Sequence, residues 1–161
     1  MLVNLYQLPE DKLHAGQGYS IRKVVPPEKG RVVDWVKKHF SEGWADECEV
    51  ACSQSPANCL IAVNRDEILG FACFDTTFRN FFGPTGVVEF ARGQGIGFQL
   101  LLYSLLEMKH IGYAYAIIGD AGPTSFYEKT VRAVPIESQP VLLQVMKKTL
   151  DDGHQGLARS P

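Results

Sequence analysis

Apolar and polar positions along the chain change period several times, and each change marks an element. YSIRKVV (Tyr19 to Val25) alternates apolar with polar side chains and runs into Pro26-Pro27, which predicts a strand that ends there. In PEKGRVVDWVKKHF the apolar residues Val32, Val33, Trp35, Val36 and Phe40 recur at helical spacing, with Lys37, Lys38 and His39 late in the segment, where cations suit the helix dipole. SEGWADECEVACS predicts a second short helix capped by Ser41, with Trp44, Cys48 and Cys52 on one side. CLIAVNRDEILGFACFDTT holds two β-rich runs joined by the polar turn Asn64-Arg65-Asp66-Glu67, the pattern of an antiparallel hairpin.

After the hairpin, FFGPTG reads as a Gly/Pro-rich bend, and Gly86 to Ala91 as a short strand. A glycine-rich turn follows, then GFQLLLYSLLEMKH, a helix apolar over most of its circumference and therefore expected to be covered on nearly all sides. Gly112 stops it. YAYAIIG (Tyr113 to Gly119) is a continuous apolar run of the kind found in buried, parallel strands. DAGPTSFYEKT predicts another short helix, and Pro135 and Pro140 bracket a weak strand, VPIES. The segment from Asp151, DDGHQGLARSP, has no periodicity and reads as a frayed tail.

With 161 residues, 45% hydrophobic and 21% charged, the chain has the size and composition of one domain with its own core. The expected division is an N-terminal extension at 1–18 packed on the domain, a single domain at 19–150, and the tail at 151–161. A formal net charge of -2 and no basic run longer than a pair give no reason to expect a nucleic-acid partner. No membrane partner is expected either, since no stretch approaches the roughly 20 apolar residues of a span. The N-terminus has neither a basic region nor an apolar core long enough for a secretory signal, so the expected location is cytoplasmic. Cys48, Cys52, Cys59 and Cys73 contain no CxxC pair and have no neighbouring histidine, so they are expected as buried free thiols and no metal site is expected.

The stretch EFARGQGIGFQLL carries the most chemistry. Strand, glycines, then helix start leaves unpaired backbone N–H groups at the positive end of a helix dipole. Gly93, Gly95 and Gly97 have no Cβ, so a diphosphate can approach the main chain, and Arg92 adds a charged fork for the same oxygens. Two nucleotide templates fail: GxGxxG finds Phe98 or Leu100 where its third glycine belongs, and GxxxxGK[ST] is absent. What remains is R-x-x-G-x-G on Arg92, Gly95 and Gly97.

On these residues the chain resembles the GNAT superfamily of acyl-CoA-dependent N-acyltransferases, whose signature is Q/R-x-x-G-x-G/A between a strand and a main helix. Tyr127 in FYEKT matches a tyrosine of that family, Asp120 stands where the family commonly has an asparagine, and the element order agrees over about Tyr19 to Ile136. In finer detail DWVKKHFSEGWADECEVA, FFGPTGV and GYAYAIIG resemble a small bacterial subgroup of unknown substrate. Its members tend to continue with Gly-Ala and a segment like S-x-P-G-I-Y, where this chain has Arg132-Ala133 and Ser138-Gln139-Pro140-Val141-Leu142.

The resemblance implies an α/β fold (an α+β mixed sheet): a central, mostly antiparallel sheet with a splayed parallel strand pair and helices on both faces. It implies acetyl-CoA as co-substrate, its pyrophosphate on Arg92, Gly93, Gln94, Gly95, Ile96 and Gly97, and its pantetheine arm along main chain near Val87, Val88 and Phe90, with Asp120 also at the cofactor. Tyr127 becomes the general acid for the departing sulfur. Glu89 is either the general base or a surface charge, and Asp75 and Glu49 are the other acids within possible reach of an amine acceptor. Trp44, Phe74, Phe78, Phe81 and Phe82 line an acceptor pocket or belong to the core. The implied activity is N-acetyl transfer to a primary amine by direct attack on the thioester; the alternative is an acyl-CoA sensor without turnover. A homodimer is left open.

Overall fold

A computed structural model describes residues 1–14 and 18–136. Its centre is a six-stranded sheet in the order β1 (Leu2–Asn4), β6 (Tyr115–Ile118), β5 (Phe81–Val87), β4 (Glu67–Phe74), β3 (Cys59–Asn64), β2 (Ser20–Lys23). All neighbours are antiparallel except β5 and β6, which pair in parallel through Phe81 with Ile117 and Phe82 with Ile118. The fold is therefore the expected mixed α/β sheet.

The predicted hairpin is β3 and β4, with Arg65 and Asp66 in the turn and Arg65 at positive φ. Both strands read as apolar runs because both of their faces are covered. Cys59, Ile61, Phe71 and Cys73 face helices α1 (Lys29–His39) and α2 (Glu42–Cys52). Leu60, Ala62, Leu69, Ala72 and Phe74 belong to the larger core built around α3 (Ile96–His110). Ser41 caps α2 as its type predicts, its hydroxyl accepting from the Trp44 N–H at 3.1 Å. Helix α3 buries Ile96, Gln99, Leu100, Leu101, Leu102, Ser104, Leu105 and Met108, most of its circumference, as its near-continuous apolar sequence requires. Helix α4 (Thr124–Val131) closes the described chain after β6.

Two expectations are corrected. FFGPTG is a strand, the body of β5, and the strand expected at Gly86 to Ala91 ends at Val87; Glu89–Ala91 is a single 3-10 turn. Gly and Pro are tolerated because the pairing with β4 shifts register here: Thr85 sits opposite Ala72, and Phe82 opposite Phe74. The N-terminal stretch adds a strand to the sheet. Its residues Leu2–Asn4 pair with Tyr115–Ile117 as the edge of the sheet, and Leu2 exchanges two backbone hydrogen bonds with Val134 on its other side. The rest of VPIES, the region around Pro140 and the tail from Asp151 lie outside the described residues.

Candidate active site

β5 and β6 part after two paired positions. Beyond Phe82 and Ile118 no ladder joins them, and a cleft of about 550 Å³ opens between Phe81–Thr85 on one side and Ile118, Gly119 and Asp120 on the other. The antiparallel alternation along β5 determines which main-chain groups face this gap. Val88 N–H donates to Leu69 O at 3.0 Å, so Val88 and Gly86 bond toward β4, while Thr85 and Val87 present their N–H and C=O to the splayed side. The Val87 carbonyl is seen there, accepting from Arg92 Nε at 3.2 Å. Main-chain pairing at the gap thus belongs to Thr85 and Val87; Val88 is occupied by β4, and Phe90 stands 65% exposed on the turn.

A second cavity, of about 440 Å³, follows where β5 ends, lined by Val87, Ala91, Arg92, Gly93, Gly95, Ile96, Gly97, Phe98 and Phe126. Gly93 and Gly95 have φ of +78° and +79°, a conformation that glycine enters without the Cβ penalty. Gly95 is the N-cap of α3, and no side chain caps that helix end. Its first-turn N–H groups, at Ile96, Gly97 and Phe98, have no partner within the helix and stand at the positive end of its dipole. Ile96 is itself buried and anchors the turn, so it offers only main chain. Gln94 is exposed between the two left-handed glycines and lines neither cavity.

Consecutive residues of α4 join the two spaces. Phe126 lines the glycine cavity and Tyr127 lines the cleft, their rings edge to face at 5.1 Å. Tyr127 is 8% exposed, and burial raises its hydroxyl above the ordinary phenol pKa, so it is a proton donor throughout the neutral range. Asp120, at φ +39°, lines the cleft.

The candidate carboxylates are distributed differently from the expectation. Glu89 is exposed on the 3-10 turn, past the end of the strand it was assigned to, and lines neither cavity. Asp75 is already engaged: its buried carboxylate accepts from the Asn80 N–H of its own loop at 2.7 Å and from the Tyr113 hydroxyl, ahead of β6, at 2.9 Å. Glu49 pairs with Lys29 at 3.0 Å on the outer side of α2. Glu47 instead lines the cleft, its carboxylate accepting a hydrogen bond from the Thr77 hydroxyl. It stands three residues after Trp44, which shares the lining. That i, i+3 pair was the available signal for it. Of the candidate aromatics, Trp44, Phe81 and Phe82 reach the cleft, Phe74 is wholly core and Phe78 is 64% exposed.

This architecture, a splayed strand pair feeding a glycine turn at a helix start, is that of acyl-CoA-dependent acetyltransferases. The sequence model of the acetyltransferase (GNAT) family matches residues 29–130, and the chain belongs to that family. Among solved structures, a GCN5-related N-acetyltransferase from Sphaerobacter thermophilus superposes with a TM-score of 0.63 at 20% identity, over 80% of this chain and 45% of that one. A putative acetyltransferase from Pyrococcus horikoshii gives 0.52 at 25% identity, over 73% and 44%. The GNAT-family N-acetyltransferase YhbS from Escherichia coli, solved in complex with CoA, gives 0.58 at 20%, over 73% and 69%. The chain spans less than half the length of the first two. No curated protein sequence matches it.

Proposed function

We propose that this protein transfers the acetyl group of acetyl-CoA to a primary amine, with the splayed β5–β6 gap as the thioester channel. The observation that carries this reading is continuity: β5 runs from the cleft to the glycine turn, and Phe126 and Tyr127 connect the same two spaces from above.

In this reading the N–H groups from Gly93 to Phe98, with Arg92, hold the diphosphate. Thr85 and Val87 pair with the pantetheine amides as a neighbouring strand would. The nitrogen lone pair of a neutral amine attacks the thioester carbonyl, a main-chain N–H of β5 stabilises the oxygen as it gains charge, and the C–S bond breaks as the carbonyl reforms. An ammonium acceptor first loses one proton to solvent or to a carboxylate at the cleft; after attack Tyr127 gives its proton to the departing thiolate, the amine's surplus proton leaves by the same route, and solvent reprotonates Tyr127. Glu47 and Asp120 place negative charge there, which suits an acceptor that arrives as an ammonium ion. Glu89 has no part in this scheme.

Calorimetry with acetyl-CoA, CoA and NAD, followed by acetyl-CoA-dependent CoA release against a panel of diamines, aminosugars and amino-terminal peptides, tests the proposal. Acetyl-CoA binding with turnover on a cationic amine supports it. Binding without turnover on any amine would indicate a sensor, and preference for NAD would remove the reading altogether.

A further inference from the structure

All four cysteines of the chain meet in one buried place. Cys48 and Cys52 stand one turn apart on α2, Cys59 begins β3, and Cys73 is its partner directly across on β4. The Cys48 sulfur is 3.9 Å from those of both Cys52 and Cys59, and the three sulfurs lie within 4.8 Å of one another. Cys73, directly opposite Cys59 in the antiparallel register, shares its face of the sheet and its buried cluster. Cys48, Cys59 and Cys73 are fully buried, and Cys52 is 6% exposed at the helix end.

In a tetrahedral zinc–thiolate site, with Zn–S of about 2.3 Å, the sulfurs stand about 3.8 Å apart. Both close edges of this cluster have that length. We propose that Cys48, Cys52 and Cys59, with Cys73 as the fourth ligand, bind a zinc ion that ties α2 to the β3–β4 hairpin.

The donor set selects the ion. Four sulfurs and no oxygen are the wrong ligands for magnesium or calcium and the right ones for a soft ion. Among soft ions charge decides: four thiolates leave a net charge of -2 around Zn²⁺ but -3 around Cu⁺, and the surroundings are Val32, Val36, Ala45, Ile61 and Phe71. Lys29, whose ammonium donates to the hydroxyl of Ser53 at 2.9 Å, stands beside the Cys52 end and offsets part of that charge. Each ligating thiol exchanges its S–H bond for a Zn–S bond and releases one proton to solvent, with no change of oxidation state. The site has a consequence for the cleft, since the same helix carries Trp44 and Glu47 to its mouth.

The full chain, purified in reductant from zinc-supplemented medium, tests this by elemental analysis and by titration with Co²⁺. Expected are about one zinc per chain and, with cobalt, a thiolate-to-metal charge-transfer band with strong tetrahedral d–d bands. Cys48→Ser and Cys52→Ser should each abolish stoichiometric binding. Cys52→Ser, at the edge of the cluster, should do so with its circular dichroism unchanged. The proposal is overturned by a folded wild type that takes up neither ion, by equal zinc in both variants, by uptake of Cu⁺ but not Zn²⁺, or by a native disulfide among these cysteines.

Discussion

The ring of Phe40 lies against the α-carbon of Gly86, so close that a Cβ there would stand 2.5 Å from the ring's Cζ. Phe40 in turn stacks on Trp44 at 5.5 Å and packs on Phe71 at 5.4 Å, so the bare backbone of β5 seats the aromatic group that presents Trp44 to the cleft. Gly86→Ala should lower stability by about 1 to 3 kcal/mol through overpacking, read as an earlier midpoint in urea denaturation.

Gly95 and Gly97 should part company on substitution to alanine. Gly95 has φ +79°, so Gly95→Ala is strained by roughly 1 to 2 kcal/mol and disturbs the N–H cradle; acetyl-CoA affinity should fall at least tenfold by calorimetry. At Gly97 a Cβ would meet only Val87 Cγ2, at 3.7 Å, an ordinary contact. Gly97→Ala should keep both affinity and melting temperature, in line with the G/A alternative of the family signature.

Tyr127→Phe separates chemistry from binding. If the hydroxyl is the acid for the leaving sulfur, kcat should drop by on the order of 10² while the acetyl-CoA dissociation constant changes less than twofold. Equal turnover in both proteins would remove Tyr127 from the mechanism.

Alkaline pH should weaken the fold. Burial raises the pKa of Tyr19, Tyr113 and Tyr127, with the Asp75 carboxylate adding to the shift at Tyr113. The unfolded chain ionises its tyrosines near pH 10 while the folded chain keeps those protons, so stability is whole below about pH 10 and falls as pH rises toward the folded values. Tyrosinate absorbance should lag behind that of the denatured protein, and Tyr127→Phe should make the loss less steep.

Arg132 ends α4 at φ +56°, in the left-handed position usually given to glycine. Arg132→Gly should raise stability by about 1 kcal/mol, seen as a higher melting temperature.

Where side chains alternate or repeat regularly the sequence was readable: α1, α2, α3 and the β3–β4 hairpin stand where their periods place them. β5 was not, because Gly83, Pro84 and Gly86 are turn residues by local chemistry; a splayed, register-shifted strand tolerates them, and that depends on partners far away in sequence. The glycine turn was legible because its chemistry is local. Glu47 had only its spacing from Trp44 to mark it and the cysteine cluster had no local signal, since each depends on how α2 is laid across the sheet.

Gln99, wholly buried in α3, donates from its amide to the Lys12 carbonyl at 2.9 Å and accepts from the His14 N–H at 3.3 Å. Those two bonds, together with the edge strand that residues 2–4 add beside β6, stitch the first fourteen residues to the helix whose start forms the cradle. The stretch shared with the family, 29–130, is therefore smaller than the unit that folds. A fragment trimmed to it would expose one side of β6, strand a buried amide, and lose the tether beneath its own anion site.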